Sequence, residues 1–129
     1  MSDRVLVNVV DGVADVRLNR PEKLNALDSA MFKALTDAGE SLKDRSDVRA
    51  VVLSGEGRSF CAGLDFSSFQ EMGSAQGDNK TDNSDHLGGR ITHLGQQAAW
   101  VWQELEVPVI GAISGHALGG GFQIAMGPD

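Results

Sequence analysis

The chain has 129 residues, 41% of them apolar, which suffices for one modest core and indicates a single domain. Its 18 acidic against 11 basic residues give a formal net charge of −7, which argues against a general nucleic-acid or membrane surface. Cys61 is the one cysteine, which excludes an internal disulfide and a cysteine-rich zinc site and fits a reducing cytoplasm; no long apolar run follows Met1 to suggest a signal peptide or membrane span.

In chain order, residues 5–10 and 13–18 are β-branched runs separated by Asp11-Gly12. Both turn positions tolerate positive φ, so the chain is predicted to begin as a β-hairpin. Residues 19–26 read as a polar loop, and Asp28 is placed to N-cap a helix over residues 29–43. Met31, Leu35, Ala38 and Leu42 recur at helical spacing and predict one buried face, with Gly39 a weak point in the helix. A third strand is predicted over residues 48–53, leading into a glycine-containing turn, residues 55–65. Residues 67–89 are polar and glycine-rich and read as a mobile surface loop. Ile91, Leu94, Ala98, Val101 and Leu105 then predict a helix over residues 90–106.

The remaining stretch, residues 107–129, carries the strongest functional signal. An apolar run over 107–113 reads as a buried strand, and Gly119-Gly120-Gly121 leads into the first turns of a buried helix from Phe122 to Met126. Three glycines in a row let main chain approach another group closely and leave amide N–H groups free at a helix N-terminus, where they suit an anion or a carbonyl oxygen gaining charge. A close-packed strand-to-helix crossover without a ligand accounts for the same residues, and both readings stand at this point.

Familiar alternatives are missing. Neither glycine turn is followed by the Lys-Ser/Thr of a phosphate loop, neither has dinucleotide-binding spacing, and no Gly-x-Ser-x-Gly elbow occurs. His86, His93 and His116 are too scattered to predict a metal site. His116 reads as a turn residue bonded to backbone, and Cys61 as a small buried apolar residue and not a nucleophile.

Three blocks in order, Asn19-Arg20-Pro21-Glu22-Lys23-Leu24-Asn25-Ala26-Leu27, Gly57-Arg58-Ser59-Phe60-Cys61-Ala62-Gly63-Leu64-Asp65 and Gly115-His116-Ala117-Leu118-Gly119-Gly120-Gly121, resemble the successive signatures of the enoyl-CoA hydratase/isomerase (crotonase) family. The resemblance covers the chain essentially from end to end. It implies an α/β fold, a crotonase-like spiral of ββα units, here truncated before the C-terminal units and trimerisation helices. It also implies a site for acyl-CoA thioesters, with coenzyme A as part of the substrate and no separate cofactor or metal, and a homo-oligomer. Carried over from the family, the backbone N–H groups of Leu64 and Gly120 would hold the thioester oxygen. Lys23, Leu24 and Ala26 from the first loop, and Ala62, Asp65 and Phe66 from the second, would line the CoA region.

Two departures bear on activity. Family hydratases usually carry a glutamate two residues after the glycine triplet, and this chain has Gln123, whose amide does not serve as a carboxylate base. The chain also ends at Asp129, before the second acidic residue of the family. Three readings follow: part of an acyl-CoA enzyme working through an enolate, a non-catalytic acyl-CoA-binding module, or an inactive fragment.

Overall fold

The computed structural model describes residues 3–67 and 93–129. The expected loop over 67–89 therefore lies, apart from Ser67, outside the described residues, as does Ile91. Strand β1 (Val5–Val10) and strand β2 (Val13–Leu18) form the predicted antiparallel hairpin. Its turn has φ of +52° at Asp11 and +84° at Gly12, the double positive φ that Asp-Gly supplies without much strain.

Helix α1 (Ser29–Lys43) starts where expected, because the Asp28 carboxylate accepts the Met31 N–H at 2.8 Å. Met31, Leu35, Ala38 and Leu42 are buried, as their spacing requires. Strand β3 (Ala50–Gly55) lies two residues later than predicted: Val48 is buried, but the parallel ladder with β2 begins at Ala50 opposite Val13. Apolar character shows where the core is and not where the hydrogen-bonded ladder starts.

The long helix expected over 90–106 is, within the described residues, helix α2 (Leu94–Trp100) followed by a 3₁₀ turn (Val101–Gln103). Ala98, Val101 and Leu105 are buried as predicted, and Trp102 joins them with its indole N–H on the Ala98 carbonyl at 2.8 Å. Gln97 is also fully buried; its side-chain amide donates to Glu40 and Glu104, and Lys43 pairs with both carboxylates. That pairing removes the cost of leaving a buried amide without partners.

Strand β4 (Val109–Gly111) is shorter than the run that announced it and pairs in parallel with β3, completing the order β1-β2-β3-β4. Helix α3 (Gly120–Ala125) begins two residues before the predicted Phe122. Neither element is buried all round, contrary to expectation: Val109 and Ile124 face the core, whereas Ile110, Phe122 and Met126 are each more than half exposed. Among the described residues β4 has a neighbour on one edge only and α3 is covered on one side, so an apolar run here does not mean burial on both faces. No helix among the described residues is long and apolar enough to cross a membrane.

Ala14, Val16 and Leu18 of β2 and Val51 and Leu53 of β3 alternate inward, the two-residue period of a sheet with one covered face. α1 packs against β1, β2, α2 and the 3₁₀ turn, and main-chain bonds join the segments following β2, β3 and β4 to one another. The site is built from those segments.

Candidate functional site

The first segment, after β2, turns through a short 3₁₀ turn (Pro21–Lys23) and then places Leu24 and Asn25 at φ of +51° and +56°. Asparagine tolerates that region better than most residues. Asn25 is fully buried; its side-chain oxygen accepts the Arg20 N–H at 2.7 Å, and its amide donates to the Glu56 and Ser59 carbonyls at 3.0 and 2.9 Å. One side chain thus ties the first segment to the turn after β3.

Main-chain pairing then joins three segments side by side. Leu27 and Leu64 form a parallel bridge, with the Leu27 N–H on the Gly63 carbonyl at 2.7 Å and the Asp65 N–H on the Leu27 carbonyl at 2.9 Å. Cys61 and Ala117 form a second one, and the Phe60 N–H reaches the Ser114 carbonyl at 2.8 Å. In a parallel bridge the bonded residue on one strand engages the peptides flanking its partner, so the partner's own N–H faces the other edge. The Leu64 N–H therefore faces away from Leu27, toward the edge along which residues 114–118 run. There Gly119, at φ +53° and ψ −120°, caps α3, and Gly120 is its first residue. Among the described residues, neither the Leu64 nor the Gly120 N–H donates to a backbone acceptor, while the amides of Cys61, Ala62, Asp65, Gly121 and Gln123 all do.

Leu64 and Gly120 border one cleft of about 960 Å³, together with Gln123, and its walls include Phe32, Ala99, Trp100, Ile124 and Met126. Among the described lining residues none is Asp or Glu, and His93 is the single titratable side chain. In the sequence His93 offers only a scattered histidine without metal-ligand spacing. Its place on the cleft depends on how α2 packs against α3, which no local pattern reveals.

The other residues expected at the site lie beside the paired segments and outside the described lining of this cleft. Lys23 is exposed, Leu24, Ala26 and Ala62 are half-buried, and Phe66 is 85% exposed. Asp65 is engaged: its carboxylate accepts both the N–H and the hydroxyl of Ser67 and pairs with Arg20 at 2.8 Å. The Ser67 hydroxyl and the Arg20 guanidinium hold its pKa down, from an ordinary 3.8 to about 2. Arg20 was read as part of a polar loop, and only this long-range pairing marks it out.

Cys61 is the small buried residue expected, whereas the His116 ring, expected on backbone, meets a side-chain hydroxyl instead. His116 is exposed and off the cleft; its backbone N–H and its ring both meet the Ser59 hydroxyl at 3.3 Å, and its carbonyl accepts the Cys61 N–H. The Cys61 thiol is buried against the Asn25 carbonyl, and burial pushes its pKa up, the reverse of an activated nucleophile.

A sequence profile described as enoyl-CoA hydratase/isomerase matches residues 8–129. The chain belongs to the enoyl-CoA hydratase/isomerase family. Among curated relatives, the short-chain-enoyl-CoA hydratase of Clostridium acetobutylicum is 37% identical over 128 residues, covering 98% of this chain and 45% of that protein. The mitochondrial delta(3,5)-delta(2,4)-dienoyl-CoA isomerase of Mus musculus is 35% identical, covering 91% of this chain and 36% of that protein. The chain thus spans less than half the length of these relatives. Among solved structures, the enoyl-CoA hydratase from Mycobacterium tuberculosis superimposes with a TM-score of 0.72 at 30% identity, over 99% of this chain and 44% of that one. An enoyl-CoA hydratase/isomerase from Xanthobacter autotrophicus does so with a TM-score of 0.78 at 25% identity, over 100% of this chain and 45% of that one. The fold is accordingly that of the crotonase-like family; among the described residues one ββα unit, β1-β2-α1, is followed by β3 and α2 and then by β4 and α3.

Proposed function

We propose that this chain binds the thioester end of an acyl-CoA in the cleft and stabilises the enolate form of that thioester with the backbone N–H groups of Leu64 and Gly120. The observation that supports the reading is that these two residues border the same cleft with their amides, among the described residues, uncommitted to backbone acceptors, while amides around them are paired. Donors held in place beforehand need not reorganise as charge develops on the oxygen, and losing one such donor costs roughly 10²–10³ in rate. α3 spans only Gly120–Ala125, so the field of its aligned peptides is small and the two amides carry the effect. The relatives' names include hydratases and isomerases, and an enolate lies on the path of both reactions. Coenzyme A is part of the substrate in this reading, and no further cofactor is required. Fatty-acid or related acyl-CoA metabolism in the cytoplasm is its setting. The exposed Ile110, Phe122 and Met126 are consistent with assembly into the family's homo-oligomer.

A second reading has a specific observation behind it. Gln123 stands where family hydratases usually have a glutamate, and no carboxylate occurs among the described lining residues. Such a site binds and polarises a thioester, and among the described residues its lining offers no carboxylate to move the proton at C2 or activate water, which favours an acyl-CoA-binding module. Calorimetric titration with an unreactive saturated acyl-CoA, against free CoA as control, tests the shared part of both readings. Binding that depends on the thioester is expected; equal binding of CoA, or none of either ligand, would overturn both.

A further inference from the structure

Leu64 is held in place by little of its own. Its side chain is 41% exposed, it follows Gly63 at φ +98°, and its N–H has no backbone partner among the described residues. The direction of that N–H is therefore set by the peptides on either side, Gly63 and Asp65, both bonded to Leu27. One side chain spans this bridge from the outside. The Arg20 guanidinium donates to the Ala26 carbonyl at 3.2 Å, on the residue before Leu27, and pairs with the Asp65 carboxylate at 2.8 Å, on the residue after Leu64.

The surroundings suit a rigid clamp. The side chains of Arg20 and Asp65 are 12% and 14% exposed, so solvent screens their pairing less than that of a surface ion pair. Arg20 also lies 3.5 Å from Asp28, whose carboxylate caps α1 and bonds Arg4 at 2.7 Å. The clamp is thereby anchored to the helix start and to the segment before β1. One guanidinium nitrogen, Nη1, serves both the carbonyl and the carboxylate, its hydrogens held in the plane of the group, a constraint that a freely rotating lysine ammonium lacks.

We infer that Arg20 is a positioning residue for the Leu64 amide, acting through Asp65 and Ala26 and without touching substrate. The inference rests on the acyl-CoA reading given above. Arg20 sets the angle of the N–H that meets the thioester oxygen, so its loss weakens polarisation of the carbonyl more than it weakens retention of the ligand.

The test is isotope-edited infrared spectroscopy of saturated hexanoyl-CoA labelled with ¹³C at the thioester carbonyl, bound to the full chain. In the unaltered chain the carbonyl stretch shifts to lower frequency on binding. In Arg20→Gln and in Asp65→Asn that shift falls by roughly half or more, and Arg20→Lys recovers part of it, because a charge-assisted bond to Asp65 is retained. Arg4→Gln breaks a bond to the same cluster but leaves the span over the bridge, and keeps the full shift. A full shift in both Arg20→Gln and Asp65→Asn overturns the inference and leaves the acyl-CoA reading standing. An equal loss in Arg4→Gln also overturns it, since general loosening of the loops then explains the effect. No shift in the unaltered chain overturns the acyl-CoA reading and the inference with it.

Discussion

Gly121 sits against Cys61 so closely that a Cβ added to it would lie 2.4 Å from the Cys61 carbonyl oxygen and 2.9 Å from its sulfur. The same Cys61 carbonyl accepts the Leu118 N–H at 3.0 Å, so the start of α3 is pressed onto the turn after β3 by main chain on both sides. The contact is with backbone, which has no rotamer through which to yield. Gly121→Ala is expected to lower stability by about 2–3 kcal/mol, read as a lower urea midpoint at constant slope. An unchanged midpoint would show that the two segments separate without cost.

A second glycine decides between opposing effects. Replacing a helix-interior glycine by alanine ordinarily stabilises by about 1 kcal/mol. Gly39 in α1, however, faces Val101, and a Cβ there would come within 2.5 Å of that side chain. Overpacking of this kind costs about 1–3 kcal/mol, so Gly39→Ala is expected to be destabilising on balance. With Val101→Ala in the same chain the two shortest contacts are removed, leaving the Val101 Cβ at 3.1 Å, and part of the helix-propensity gain returns. Additive effects of the two substitutions in denaturant unfolding would refute the contact.

Asp65 and Asp28 make stability depend on acid. Burial works against the charged form of Asp28, yet the Arg4 hydrogen bond, the Met31 N–H and the Arg20 charge together outweigh it and lower its pKa. Asp65 is held at about 2 by Ser67 and Arg20. A carboxyl whose pKa is lower folded than unfolded contributes stability that is present above its unfolded value and lost as pH falls through the folded one. Urea midpoints are expected to drop between about pH 5 and about pH 2.5, with a shallower drop in Asp65→Asn. An equally steep drop in that variant would remove Asp65 from the account.

Gln123→Glu is expected to leave the chain without measurable hydration of an enoyl-CoA. The new carboxylate would stand on the cleft, but hydration needs one group to take a proton from water and another to deliver one to C2, and no other described lining residue is Asp or Glu. Spectrophotometric loss of the conjugated thioester is the measurement, and turnover in the variant would show that a single carboxylate suffices.

Local features account for how much of the chain was legible beforehand. The Asp11-Gly12 hairpin, the Asp28 cap and the buried stripe of α1 follow from turn geometry, capping and helical period, each acting within a few residues. The three signature blocks, two of them glycine-bearing, marked the site segments and the family. Apolar runs were less informative about β4 and α3, because burial there depends on which faces other elements cover. Arg20 and Asn25 stood in the first signature block, but nothing local showed what they contact: a buried asparagine at positive φ and an arginine spanning a bridge exist only once distant segments are adjacent. The sequence by itself determined the elements and the glycines that let main chains meet, since those rest on short-range sterics. Only the tertiary structure decided that Leu64 and Gly120 border one cleft, because their approach comes from parallel pairing between segments more than thirty residues apart in the chain.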